Sequence, residues 1–144
     1  MKYCYDYPMA LVTVDAIILD EQTKKKILLI KRKNDPYKSM WALPGGFIEM
    51  NENLEDSVKR EVLEETCLTG IEFTQFRAFG NVGRDPRGRN IVIVFYGFCK
   101  NPDNARGGDD AAETCWFDIG NLPELAFDHS EIIKSFVEFK VAGF

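Results

Sequence analysis

GFIEMNENLEDSVKREVLEETCL, residues 46–68, is the stretch around which the rest of the chain is arranged. After Gly46, Glu52 follows at a fixed distance, and then the run Arg60-Glu61-Val62-Leu63-Glu64-Glu65. Glu61, Glu64 and Glu65 stand at i, i+3 and i+4, positions that share one face of a helix. Like charges at those spacings repel, so a solvated helix gains nothing from them. A hard divalent cation such as Mg²⁺ reverses the sign, because it prefers oxygen ligands and is commonly shared with substrate phosphates. Leu54, Val58 and Val62 form an apolar stripe, and at helical geometry Glu65 projects beside it. A carboxylate aimed at a buried edge is costly without a partner or a metal. A plain surface helix, with its acids opposite the stripe, fits this pattern poorly. Asn53 is placed to cap the helix, which the spacing predicts over 54–66.

Working outward, the segment Trp41-Ala42-Leu43-Pro44 leads into Gly45-Gly46, where adjacent glycines permit close approach of the backbone. Upstream, the β-branched run 11–19 (LVTVDAIIL) reads as a buried strand and 26–32 (KILLIKR) as its hairpin partner. Downstream, 71–80 and 91–99 read as strands joined by the basic connection NVGRDPRGRN. A short strand is expected over 114–119. Asp128 and Glu131 have capping-box spacing before an amphipathic helix that runs to about Val141.

Composition narrows the class. The 144 residues, 45% hydrophobic and 12% aromatic, suit one globular domain spanning 1–144 and exclude a disordered chain. A net charge of −5 opposes a nucleic-acid polymer or an anionic membrane as the main partner. No apolar run is long enough to cross a bilayer, and the N-terminus lacks a signal-peptide core. Cys4, Cys67, Cys99 and Cys115 form no C-x-x-C pair. Cys99 and Cys115 lie in strand-like runs and read as buried thiols of a reducing compartment, hence a cytoplasmic protein. His129, the one histidine, cannot build a zinc site and is given no catalytic role.

Gly46, Glu52, Arg60, Glu61, Glu64 and Glu65 at these offsets resemble the signature of the Nudix hydrolases, with the box at 46–68. The resemblance implies an α/β fold, an α/β/α sandwich around a central mixed β-sheet, that hydrolyses nucleoside diphosphates linked to another moiety. Position by position, Glu61, Glu64 and Glu65, with the backbone carbonyl of Gly45, resemble the ligands of Mg²⁺ or Mn²⁺. Glu52 and Arg60 resemble the salt bridge that ties loop to helix. The general base stays open among Glu61, Glu65 and an acid on a distant loop. Cys67 departs from the pattern, standing where the family has a glycine that ends the helix left-handed. A changed helix exit is expected there.

Four shorter segments are similar to ADP-ribose pyrophosphatases and related Nudix domains. These are Tyr7-Pro8, the run RDPRGR over 84–89, the run GGDDAAE over 107–113, and Ala126-Phe127-Asp128-His129. They imply ADP-ribose as substrate, cleaved to AMP and ribose 5-phosphate, and a homodimer. Arg32, Arg84, Arg87 and Arg89 are candidates to bind its phosphates, since guanidinium groups suit phosphate oxygens, although a basic hairpin tip also suits plain solvation. Glu113 is the better candidate for an acid outside the box, ahead of Asp109 and Asp110. Trp41, Phe47, Phe79 and Phe127 are aromatics that could stack on a base or fill the core. Two rivals remain: a MutT-like pyrophosphatase of (oxidised) nucleoside triphosphates, and an ADP-ribose-sensing domain without turnover. The sensor is disfavoured by the retained carboxylates and by the lack of a basic recognition helix.

Overall fold

The computed structural model describes residues 2–108 and 111–143. Its centre is β1 (Leu11–Asp20), whose alternation sends successive side chains to opposite faces of a sheet. Val14, Ala16 and Ile18 face one core, while Ile17 and Leu19 face the other. β2 (Lys26–Arg32) folds back antiparallel with Leu19 opposite Ile27, as the hairpin reading expected. β3 (Trp41–Ala42) continues on β2, and β4 (Gly45–Phe47) pairs with the first half of β1. After α1 (Leu54–Thr66), β5 (Thr74–Phe79) and β6 (Asn90–Cys99) form an antiparallel pair, and β6 runs parallel to β1 along its full length. β7 (Ala111–Asp118) returns to the far side of β2, and α2 (His129–Gly143) closes the chain. The sheet is therefore mixed, with the order β3-β2-β1-β6-β5 and β4 and β7 branching from it.

Each face is covered by one helix. Val58 and Val62 of α1 pack on Val14, Ile18 and Phe95, while Ile132, Ile133 and Phe136 of α2 pack on Ile17, Leu29 and Val94. Burying each of these side chains contributes about 1.5–3 kcal/mol. The result is an α/β/α sandwich, and Glu65 is buried at the edge of the α1 stripe as its position predicts.

Several local expectations need correction, among them the strand expected over 114–119, which begins at Ala111 and ends at Asp118. Cys67 is left-handed (φ 63°), and its N–H reaches the Leu63 carbonyl at 3.0 Å, so the helix exit is unchanged rather than altered. The loop over 101–108 docks on that end: Arg106 N–H reaches the Thr66 carbonyl and Gly108 N–H the Glu65 carbonyl, supplying partners that a helix terminus lacks. β5 begins at Thr74 instead of Ile71, because 71–73 crosses directly over Gly97 of β6, where any Cβ would meet Ile71 and the Glu72 carbonyl. Asp128 does not cap α2 with its carboxylate, which is committed to Arg84; its backbone carbonyl accepts from Glu131 and Ile132 instead. Cys115 is exposed on β7, so Cys99 is the buried thiol of the pair. Asn53 occupies the N-cap position but makes no side-chain cap bond. No helix among the described residues is long and apolar enough to cross a membrane.

Candidate active site

β1 changes partner along its length, pairing with β4 through Thr13, Val14 and Asp15 and with β2 at Leu19. The two partners diverge, and a cavity of about 510 Å³ opens beside the segment that crosses between them. Gly45 and Gly46 form one edge of it. A Cβ on Gly45 would run into the Asp15 carboxylate and the Val14 carbonyl, and one on Gly46 into the Glu61 carboxylate. Both glycines are thus needed for close approach of backbone to carboxylates, not for an unusual φ.

The carboxylates arrive from α1. Glu65 Oε1 accepts the Gly45 N–H at 3.0 Å, which anchors the helix to the strand edge. Arg60 organises the rest. Its Nε and Nη2 grip Glu52 at 3.0 and 2.7 Å, its Nη1 reaches Glu61 at 2.8 Å and Glu64 at 3.2 Å, and Nη2 also donates to the Phe47 carbonyl. The Arg60 bonds hold the Glu52 carboxyl down at about 2, against the opposing effect of burial, and raise Arg60 above its ordinary value. Burial raises the Glu61 carboxyl above its ordinary value, against the pull of Arg60 and with repulsion from Glu64. With Arg60 holding Glu61 and Glu64, and Gly45 holding Glu65, no three acidic, histidine or cysteine groups among the described residues converge on one point.

The opposite wall carries three arginines, two of them paired with acids. Arg84 is almost fully buried and grips Asp128 with two bonds of 2.7 and 2.9 Å. Burial works to lower its pKa, but the Asp128 pairing outweighs it and the net direction is up. Arg87 pairs with Asp85 and lies between two rings, 4.8 Å from the centroid of Phe47 and 5.2 Å from that of Phe127. Burial raises the Asp85 carboxyl, yet bonds from Arg87 and Asn90 prevail and hold it well below the usual range. Arg32 also lies over the Phe127 ring, 5.0 Å from its centroid, and donates to the Pro36 carbonyl. Burial and the neighbouring Arg87 lower its pKa.

Arg32, Arg84, Arg87, Arg60, Glu61, Glu65 and Gly45 therefore share one cavity. Glu64 adjoins it through Arg60. Arg89 is turned away, its guanidinium bonded to the Gly80 carbonyl at the base of the hairpin. Glu113 faces out of β7, more than half exposed and paired with Lys31. The candidates Asp109 and Asp110 lie outside the described residues. Of the aromatics, Phe47 and Phe127 line the cavity, whereas Trp41 and Phe79 pack against the core. Sequence reasoning passed over Asp15, Asp85, Asn90 and His129, all buried at the cavity. Asp15 carried a legible signal, as the single charge inside the apolar run 11–19.

An α/β/α sandwich with helix carboxylates on a glycine edge, facing arginines across a cleft, defines the class of protein: a phosphate-ester or anhydride hydrolase built on the Nudix scaffold. The chain belongs to the Nudix family, for the NUDIX domain profile matches residues 9–136. It is 46% identical over 129 residues to an ADP-ribose pyrophosphatase of Methanocaldococcus jannaschii, covering 90% of this chain and 74% of that protein. It is 35% identical over 134 residues to NtrR of Acinetobacter baylyi, an ADPR-responsive transcriptional repressor, covering 90% of this chain but about half (54%) of the repressor. The Nudix domain of Shewanella oneidensis NrtR, solved in complex with ADP ribose, superimposes with a TM-score of 0.78 at 29% identity, covering 93% of this chain and 92% of that domain.

Proposed function

We propose that residues 1–144 act as one hydrolase domain that cleaves the diphosphate linkage of a nucleoside diphosphate conjugate, with ADP-ribose as substrate. The carrying observation is a single cleft that brings Glu61 and Glu65, on the Gly45–Gly46 edge, together with Arg32, Arg84 and Arg87. An anion alone suits the arginines and repels the carboxylates. A diphosphate carrying a divalent cation suits both. The relatives support the choice of conjugate.

The donor set fits such an ion chemically, being oxygen throughout: Glu61, Glu64, Glu65 and the Gly45 carbonyl. Mg²⁺, or Mn²⁺ in its place, would supply Lewis acidity toward the attacking water and the diphosphate. The chain's own residues do the rest. Arg60, anchored by Glu52, neutralises Glu61 and Glu64 and keeps them near the edge. Arg84, fixed by Asp128, and Arg87, flanked by rings, present guanidinium groups toward phosphate oxygens. Water adds to one phosphorus, the bridging P–O bond breaks, and AMP and ribose 5-phosphate leave. The cytoplasm is the proposed compartment and a homodimer the proposed assembly, which light scattering would test against twice 16.5 kDa.

Assaying AMP release across nucleoside diphosphate conjugates and nucleoside triphosphates tests the reading. ADP-ribose should be preferred, and Glu61→Gln should lower kcat/KM by about 10² or more, the scale of one catalytic group. Rapid cleavage of triphosphates with conjugates untouched would move the protein to the MutT-like class. The likeness to an ADPR-responsive repressor keeps a sensing role in view. That role would win if ADP-ribose binds while Glu64→Gln leaves a slow turnover unchanged.

A further inference from the structure

We propose that His129, held in one tautomer by Asp15, is the positioning residue that fixes the Leu43–Gly45 edge on which the metal-binding carboxylates rest; this deepens the hydrolase reading and depends on it. The segment before α2 runs alongside β3, with Leu125 bridged to Trp41 and the Ala126 N–H bonded to the Trp41 carbonyl at 2.8 Å. Were this short parallel ladder to continue, the Leu43 N–H would seek the Ala126 carbonyl. That carbonyl is already taken by the His129 N–H, where the chain turns into the helix. The His129 side chain supplies the missing acceptor: its Nδ1 receives the Leu43 N–H at 3.0 Å.

Because Nδ1 accepts, the ring proton of the neutral imidazole resides on Nε2, and Asp15 Oδ2 stands 3.1 Å from that atom. Asp15 is in the middle of β1, directly opposite Gly45 in the β1–β4 register. The next links follow along the chain. The Pro44 carbonyl accepts from Ala16 at 2.8 Å, and the Gly45 N–H donates to Glu65 at 3.0 Å. Leu43, Pro44 and Gly45 are thus held at consecutive points by α2, β1 and α1. Both members of the pair are buried, His129 at 4% and Asp15 at 7% exposure. Loss of the Leu43 hook frees the edge at the end remote from α1. The Gly45 carbonyl and Glu65 then lose their fixed relation.

The amide of Asn superimposes on the Nδ1 side of an imidazole and that of Gln on the Nε2 side, which separates the two bonds. Wild type, His129→Asn, His129→Gln and His129→Phe are compared by Mn²⁺ affinity in electron paramagnetic resonance, and by kcat and KM for ADP-ribose. The wild-type imidazole is assigned by ¹⁵N NMR. The expected spectrum is that of the Nε2–H tautomer. His129→Asn, which keeps an acceptor for Leu43, retains most of the Mn²⁺ affinity. Gln and Phe lose about 10- to 100-fold, as outer supports of a metal site do, with kcat falling more than KM rises. An Nδ1–H tautomer, a Phe variant that binds Mn²⁺ like wild type, or an Asn variant no better than Gln overturns the proposal. Should the Phe variant not fold, the tautomer and the Asn–Gln contrast still decide. Wild type that binds Mn²⁺ yet spares ADP-ribose sinks the hydrolase reading alone, since tautomer and affinity judge His129 separately.

Discussion

At Cys67 the backbone takes φ 63° with a Cβ attached, a conformation that costs a non-glycine residue about 1–2 kcal/mol. The Leu63 bond and the docked 101–108 loop impose the exit, and the side chain simply tolerates it. Cys67→Gly should therefore stabilise the fold by about 1 kcal/mol, part of the relief being lost to the greater freedom of glycine in the unfolded chain. Urea unfolding checks this, and a lowered midpoint would count against it. Gly108 is the converse. Its Cα lies against the Glu64 carbonyl, so a Cβ there meets backbone that cannot yield. Gly108→Ala should destabilise by about 1–3 kcal/mol on overpacking grounds, visible in the same titration. Residue types at single positions were legible where chemistry demands them, as for Glu52 and Arg60. They were not legible where a partner is far along the chain: nothing near His129 announces a bond to an amide 86 residues away.

The element that carries the acids, α1, was readable to its ends because its signals are local: an apolar stripe, an N-cap position and a regular spacing of charge. Its hold on the preceding loop depends on Glu52 and Arg60, and that hold has a pH signature. The folded Glu52 carboxyl is lowered from an ordinary 4.5 to about 2. A depressed carboxylate contributes stability that is fully present above 4.5 and is lost as pH falls through 2. Glu52→Gln should accordingly cost about 1.5–3 kcal/mol near neutrality, the range for charged hydrogen bonds, and the gap to wild type should close toward pH 2. Unfolding free energies measured from pH 6 to 2 would show it; parallel curves would refute the assignment. Strand limits were less legible than helix limits. β5 starts late because Gly97 lets 71–73 cross over its face, a fact about β6 rather than about the segment itself. Likewise Asp128 has cap spacing but serves Arg84, since an ion pair with the 80–89 hairpin outcompetes a local bond.

For the molecule as a whole, the buried strand 11–19, the two amphipathic helices and the likeness to the Nudix hydrolases led to the expectation of a sheet between helices, and the structure has a core on each face of its sheet. Which strands become neighbours was hidden, because the parallel β1–β6 pairing and the return of β7 to β2 join segments remote in the chain. The cleft is a product of that topology: its acidic edge comes from β4 and α1, its basic wall from β2, the 80–89 hairpin and the turn into α2. Opposed walls make a prediction about linkage. An anionic ligand docking on Arg84 and Arg87 approaches Glu61 and Glu65, and their repulsion falls when a divalent ion is present. The ion, in turn, gains phosphate oxygens as ligands. Binding of a methylene-bridged, uncleavable ADP-ribose analogue should therefore tighten with Mg²⁺ by about 5- to 150-fold, the usual range of coupling, and Mg²⁺ should tighten with analogue by the same factor. Calorimetry in both orders measures the two factors. Reciprocity is required of any true coupling, so its magnitude is the informative quantity. Analogue affinity indifferent to Mg²⁺ would mean that the two walls do not hold one ligand between them.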